Sequence, residues 1–239
     1  MKNWKLVGVA VVSGLFGSLI FNLIFLQASC APNNKVITAQ DFRLVDSKGK
    51  IRGGLFYTND GTSILGLRDS NGKIRISMAV GPDGTPALEL YDANQKRTFF
   101  VDQLPNGNSQ LMLSNSNNNG GVQMVVGNDG NPVLYLVDSA EKERIKIFIA
   151  SEGAAKLSIS DANQKAEAMI AVSNAGAAFG FSDENKKTRV AIIFSPITGS
   201  ALFFNDENGK NRVSAISSTI LTSMSLSNEN GKIFWFQGK

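Results

Sequence analysis

The chain has 239 residues, of which 43% are hydrophobic and 18% are charged, and its 24 basic and 20 acidic residues give a formal net charge of +4. It contains no histidine, which excludes nucleophile systems that need an imidazole and removes the commonest metal ligand. It has a single cysteine, Cys30, so neither an intrachain disulfide nor a thiolate metal cluster can form. Its charges are interspersed, which argues against nucleic acid as a partner.

The first predicted element is an uncharged run over residues 6–29, preceded by Lys2 and Lys5. As a helix this run would extend roughly 35 Å, which is enough to cross a bilayer. The positive-inside tendency places the two lysines in the cytoplasm and exports the rest of the chain. We therefore predict a single-pass cell-membrane protein with a cytoplasmic N-terminus (1–5), a transmembrane anchor (6–29), a linker (30–41) and an extracytoplasmic domain (42–239), periplasmic or at the cell surface.

A rival interpretation concerns the stretch LQASC, which ends at Cys30. Lipoprotein signals place a small residue just before the modified cysteine, and Ala28 and Ser29 fit that pattern. They also place an aliphatic residue three positions before the cysteine, where this chain has Gln27. Lipidation of Cys30 and plain signal cleavage are the alternatives to a retained anchor, and each delivers the same domain beyond the membrane.

After the linker, the sequence repeats with a period of about 23 residues. A hydrophobic–x–hydrophobic–x–Asp signature begins about nine copies, at Phe42, Leu65, Leu88, Leu111, Leu134, Leu157, Phe179, Leu202 and Met224. A fixed period of this size is typical of a repeat architecture.

Each copy contains two strand patterns and two turn patterns. LGLRD alternates apolar and other residues, as does IRISMAV from Ile74 to Val80, and this period of two indicates half-buried strands. Asn-Gly and Asp-Gly pairs separate them and favour tight hairpin turns. The aspartate of the signature (Asp69 in the second copy) is interpreted as a turn-forming residue in preference to a calcium ligand, because each turn usually supplies one carboxylate.

The choice between a β-solenoid and a meander depends on stacked charges. In a solenoid, equivalent aspartates and arginines of successive copies would lie about 4.8 Å apart, and like charges at that distance repel. A meander of hairpins separates them by a further strand. We therefore predict an all-β domain in which tandem hairpin repeats form an extended antiparallel meander or a superhelical β array. Its apolar face needs cover, by coiling of the sheet, by folding over itself or by another subunit.

The pattern L-x-L-x-D-x-x-G-K-x-R with a following D-G turn, as in LGLRDSNGKIRISMAVGPDG, resembles the tandem repeats of bacterial envelope proteins. Through LYDANQK, the chain is also loosely similar to the YD repeats of secreted Rhs-type shells. The resemblance covers residues 42–239 in its period and a few positions per copy. It implies an envelope location and assigns no functional residue.

Aromatic side chains supply the candidate interaction surface. Because neighbouring residues of a strand point to opposite faces, each aromatic doublet places a ring on the nominally polar face. The candidates are Phe99, Phe203, Phe204, Phe234, Trp235 and Phe236. Exposed aromatic residues often mark surfaces that bind proteins or glycans.

These observations predict a non-catalytic structural, adhesive or protein-interaction repeat protein. Its partners would be the membrane and either further copies of itself or another envelope protein. A glycan- or cell-wall-binding module that uses the exposed aromatics is the alternative. The acidic residues fall in turns with no evident pocket to raise the pKa of a general acid, so we expect no enzyme activity and no cofactor.

Overall fold

The computed structural model describes residues 37–104, 106–117 and 119–239. The predicted anchor over residues 6–29, Cys30 and most of the linker lie outside the described residues. Within that part of the chain, no helix is long and apolar enough to cross a bilayer.

Eighteen strands follow the two-strand pattern of the repeats. They are β1 (Asp41–Val45), β2 (Ile51–Tyr57), β3 (Ser63–Arg68), β4 (Ile74–Val80), β5 (Pro86–Tyr91), β6 (Arg97–Gln103), β7 (Ser109–Ser114), β8 (Gly121–Val126), β9 (Pro132–Val137), β10 (Glu143–Ile149), β11 (Ala155–Ser160), β12 (Glu167–Ser173), β13 (Gly176–Ser182), β14 (Thr188–Ser195), β15 (Gly199–Asn205), β16 (Asn211–Ser217), β17 (Thr222–Ser227) and β18 (Ile233–Gly238).

The strands form one open antiparallel meander. Each strand pairs with the strand before it and the strand after it in the chain, and β1 and β18 are the two edges. The structure therefore confirms the all-β meander of hairpins. Every copy contributes one odd-numbered and one even-numbered strand.

One face of this sheet carries two rows of residues that run across all eighteen strands; we call it the apolar face. The first row is Phe42, Leu55, Leu65, Met78, Leu88, Val101, Leu111, Met124, Leu134, Ile147, Leu157, Ile170, Phe179, Ile192, Leu202, Ala215, Met224 and Gln237. The second row is Leu44, Gly53, Leu67, Ile76, Leu90, Phe99, Leu113, Val122, Leu136, Ile145, Ile159, Ala168, Phe181, Val190, Phe204, Val213, Leu226 and Trp235. Gln237 is the one polar member of the two rows.

The opposite face, here called the mixed face, combines small, polar and aromatic side chains. Its central row begins with Arg43, Gly54, Gly66 and Ser77 and ends with Phe203, Ser214, Ser225 and Phe236. Small residues occupy many positions of this row, so the longer side chains beside them can cover the backbone.

The signature aspartates close the first turn of seven copies, and Asn115 and Asn228 take the same position in the other two. Asp46 Oδ1 accepts hydrogen bonds from the backbone N–H groups of Lys48 (2.9 Å) and Lys50 (3.0 Å). Its carbonyl accepts one from the N–H of Gly49, which has a positive φ of 74°. The same arrangement recurs around Asp69, with bonds from Asn71 and Lys73. Side chains that satisfy backbone donors two and four residues ahead fix a turn.

A β-bulge recurs at the start of most even-numbered strands, and in five of these strands the extra residue is an arginine of the repeat. Arg75, for example, lies between the paired residues Ile74 and Ile76 of β4, whose partners on β3 are adjacent. The bulge directs the Arg75 side chain along the sheet, where it bonds to the carbonyl of Tyr91 and to Asp69.

Candidate interaction surface

The apolar face has no second layer over it in the described structure. Ten apolar members of its first row are 38–53% exposed, among them Met78 at 53% and Met124 at 50%, and the other seven are half-buried. Among the described residues, Phe100 and Ala154 are the only hydrophobic ones that are buried. Folding of the sheet over itself, one of the three ways of covering this face, is therefore not what the structure shows.

Shallow grooves occupy parts of the apolar face. One groove of about 600 Å³ extends from Leu55 to Val101, and a second of about 370 Å³ extends from Val101 to Ile147. The third, of about 1040 Å³, extends from Ile192 on β14 to Trp235 on β18. Side chains of the apolar face form most of each lining, so these grooves suit apolar groups better than charged ligands.

The candidate aromatic residues do not form a single site. Phe99, Phe204 and Trp235 belong to the second row of the apolar face, and Phe203 and Phe236 lie on the mixed face. Phe99 is nine strands from Phe204, about 43 Å along the sheet at the usual strand spacing. The other five candidates lie on β15 and β18, within three strands of the C-terminal edge.

Within that edge region, Phe204 and Trp235 are three strands apart in the same row, about 14 Å at the usual spacing. Phe234 lies at the β17–β18 irregularity and is 67% exposed. The C-terminal strand therefore presents aromatic rings on both faces of the sheet and beside its free edge.

Four of the arginines at the bulges join their copy to the next one. Arg75 Nε donates to the carbonyl of Tyr91, at 2.9 Å, and its Nη1 donates to Asp69 Oδ2 at 3.5 Å. Arg144 makes equivalent bonds, to the carbonyl of Ser160 at 2.8 Å and to Asp138 Oδ2 at 3.2 Å. These arginines consequently stabilise the junctions between copies. Their guanidinium groups already bind protein acceptors.

Hydrogen bonding also determines the charge state of the turn carboxylates. The pKa of Asp46 lies below its usual value, chiefly because the backbone N–H of Lys50 binds the carboxylate, with Lys48 and Arg52 adding to the effect against the opposing effect of burial. The pKa of Asp138 is lowered in the same way, first by the N–H of Lys142. Such groups are held ionised, which is unsuited to a general acid near neutral pH.

A cluster on the mixed face was not identified from the sequence. Glu89 accepts hydrogen bonds from the hydroxyl of Tyr91 and from Arg97 Nη1, the latter at 2.8 Å, and the guanidinium of Arg97 lies 3.9 Å from the ring centre of Phe100. Burial, together with the hydrogen bond to Glu89, raises the pKa of Tyr91 to about 12. The one available signal was that Arg97 is shifted by one position relative to the arginines of other copies.

This cluster is better suited to stability than to chemistry. The carboxylate of Glu89 is shared between two donors, and a general base would need an oxygen directed toward a substrate. Across the described part of the chain, no group of three or more Cys, Asp or Glu side chains is arranged to hold a metal ion.

No protein-family model matches the chain, and no curated protein is significantly similar to it.

Proposed function

We propose that this chain is a membrane-anchored, extracytoplasmic repeat protein with a non-catalytic, structural or adhesive role based on protein interaction. The observation that carries the proposal is the uncovered apolar face, two rows wide and eighteen strands long. Measured along the sheet, these rows extend about 80 Å. Contiguous apolar patches on monomeric proteins are usually much smaller, and larger ones mark interaction surfaces.

The mechanism of such a protein is display. Strand pairing and the arginine bonds between copies hold side chains at fixed positions, so one partner contact can be repeated from copy to copy. Burial of apolar area supplies the free energy of association, at about 25 cal/mol for each Å² removed from water. The N-terminal sequence supports the location, because residues 6–29 are uncharged and follow Lys2 and Lys5.

The experiment compares the two faces at adjacent positions of β8, using cysteine reporters in the full-length Cys30→Ser chain. Met124→Cys reports on the apolar face, and Gln123→Cys is the matched control on the mixed face. Intact cells and the detergent-purified chain are labelled with a maleimide that does not cross membranes, and each labelling rate in cells is divided by its rate in detergent.

We expect the control to be labelled in cells, because the domain is exported, and the apolar-face reporter to be protected at least fivefold relative to it. Equal relative rates at both positions would show that nothing covers the apolar face and would overturn the interaction role. Labelling of neither reporter until the cells are lysed would overturn the location.

Glycan binding is a second candidate, favoured by the groove near the C-terminal edge. Trp235 lines this groove together with Gln237, Thr222 and Ser223, which combines an aromatic face with hydrogen-bonding groups. This candidate predicts saturable binding to isolated cell-wall glycan that is lost in Trp235→Ala and Phe204→Ala. Unchanged binding in both variants, or no binding by the parent chain, would eliminate it.

A further inference from the structure

The two edge strands of the sheet are both open to solvent. All five residues of β1 and all six residues of β18 are exposed. Neither strand contains proline, which would remove a backbone donor. Unpaired edges of this kind are templates for another strand.

We propose that β18 of one copy pairs antiparallel with β1 of a second copy, in the register that already joins each repeat to the next, so that chains assemble head to tail. The inference deepens the proposed function, because it names a second copy of this chain as a partner. It concerns the edges of the sheet, whereas the proposed function rests on the apolar face.

The register follows from the repeat itself. At junctions between copies, the first-row residue of the even-numbered strand pairs with the first-row residue of the following odd-numbered strand, as Leu55 pairs with Leu65 and Met78 with Leu88. Applied to β18, the same rule pairs Gln237 with Phe42 of the second copy. It also pairs Trp235 with Leu44 of the second copy, so the second apolar row continues without interruption.

A lysine at three of the junctions provides a second argument. Lys73 Nζ donates to the carbonyl of Ala93, in the turn of the following copy, at 2.8 Å. Lys187 reaches the equivalent carbonyl of Glu207 at 3.0 Å, and Lys210 reaches that of Glu229 at 3.5 Å.

Lys232 occupies the same position in the last copy, four residues after Asn228, which forms the turn. Among the described residues, no further copy follows β18. In the proposed assembly its ammonium group donates to the carbonyl of Ser47 of the second copy, which is the equivalent acceptor because it follows Asp46.

The mixed face is also complementary at this junction. The register places Phe236 opposite Arg43 of the second copy, a ring beside a cation. Tyr135 and Lys146 form such a cross-strand pair within the chain, with the ammonium 5.4 Å from the ring centre. Such contacts between a cation and a ring face are attractive.

Pairing of β18 with β1 joins two different surfaces, so it leaves one free β1 and one free β18 at the ends of every assembly. A contact of this kind continues by addition of further copies unless the rotation between copies closes a ring. We therefore expect a series of oligomers, and a two-fold dimer would not satisfy the geometry.

The test uses disulfide trapping in membranes from cells that express the full-length Cys30→Ser chain. The Leu55–Leu65 pair lies three positions from the Thr58–Thr62 hydrogen bond that closes its turn, which makes it a non-hydrogen-bonded pair, the type with the closer side chains. By equivalence, Phe42→Cys and Gln237→Cys in one chain create a matching pair between copies, at a separation that a disulfide accepts.

The matched control combines Gln237→Cys with Arg43→Cys, because Arg43 is adjacent to Phe42 but lies on the opposite face. After mild oxidation, we expect a ladder of dimers, trimers and larger species on non-reducing gels, at least tenfold stronger than in the control. Equal yields in the two variants, or an oxidised product confined to the monomer, would overturn the proposal.

Protection of Met124→Cys from labelling, without a ladder, would refute this edge pairing alone. A ladder without that protection would refute the apolar-face interaction alone.

Discussion

Ser214 on β16 and Ser225 on β17 lie directly opposite each other on the mixed face, and their hydroxyl oxygens are 2.7 Å apart. Each residue is only 8% exposed. Phe203 pairs with the first serine and Phe236 with the second, so two aromatic residues flank a buried polar pair. A hydroxyl that loses its partner in such a place has no water to bind instead, because it is buried.

This arrangement predicts non-additive mutations. Ser214→Ala or Ser225→Ala alone should lower the free energy of unfolding by about 1–3 kcal/mol, because the remaining hydroxyl is left without a partner. The double variant should cost less than the sum of the single ones by about 1 kcal/mol. Denaturant titration followed by tryptophan fluorescence measures all three, and additive losses would contradict a coupled pair.

A second prediction concerns acid. The pKa of each of the seven signature aspartates is lowered in the folded protein, so their contribution to stability is complete above the unfolded-state pKa of about 3.9 and is lost as the pH falls through the folded-state pKa. We expect unfolding free energies that are similar at pH 7 and pH 5 and fall below about pH 4. Asp138→Asn should make the loss of unfolding free energy below pH 4 less steep, since the amide does not titrate. An unchanged dependence of the unfolding free energy on pH would contradict the lowered pKa of Asp138.

The third prediction separates a junction arginine from a surface arginine. Arg144→Ala should lower the free energy of unfolding by roughly 1 kcal/mol or more, because the carbonyl of Ser160 loses its donor. The matched control is Arg43→Ala, since among the described residues Arg43 is ion-paired only with Asp41 on its own exposed strand. Comparable losses in the two variants, measured by denaturant titration, would show that the bond across the junction adds nothing.

The fourth prediction concerns Tyr91, whose pKa is raised to about 12 by burial and by its bond to Glu89. The difference in tyrosinate absorbance between the parent chain and Tyr91→Phe should titrate near pH 12, and Glu89→Gln should move it toward the ordinary value of about 10. A raised pKa favours the neutral phenol, so its contribution to stability is present below about pH 10 and is lost as the pH rises through the folded-state value. If this absorbance difference titrated near pH 10 instead, the result would contradict the hydrogen bond between Tyr91 and Glu89.

The fifth prediction compares two glycines with positive φ. Gly176 has a φ of 133°, and a Cβ there would lie 1.9 Å from the carbonyl oxygen of Phe194 on the adjacent strand. Gly72 has a φ of 80°, and a Cβ there would meet nothing within 4 Å. Gly72→Ala should cost about 1 kcal/mol, whereas Gly176→Ala should greatly reduce the yield of folded protein. Equal thermal stability would contradict the close approach of the strands.

Much of this fold was predictable because its information is local. The alternation of Ile74, Ile76 and Met78 gives the strand, and Asp69 with its Asn-Gly pair gives the turn. The bulge at Arg75 was not predictable, since it depends on a register between two strands that no single-strand pattern records. For the same reason the Glu89–Arg97 cluster was missed, because its members meet only after β5 and β6 are paired.

The candidate site was predictable in part. Rings on both faces of the sheet follow from the doublet Phe203-Phe204, whose members point in opposite directions. That Phe99 lies far from the other candidates follows only from counting strands across the completed sheet. The sequence patterns also directed attention to aromatic residues, while the structure shows that a much larger apolar surface is built from ordinary leucine, isoleucine and methionine.

Because every strand of the described sheet pairs only with its neighbours in the chain, no residue depends on how many copies there are. Removal or duplication of 23 residues would join equivalent strands, leave both faces continuous and change the width of the sheet by about 10 Å. Recombination between neighbouring repeats could therefore lengthen or shorten the gene without a new core having to evolve, while β1 and β18 stay the same at the two ends. The number of copies, and with it the width of the sheet, is thus a property that selection can change in fixed steps.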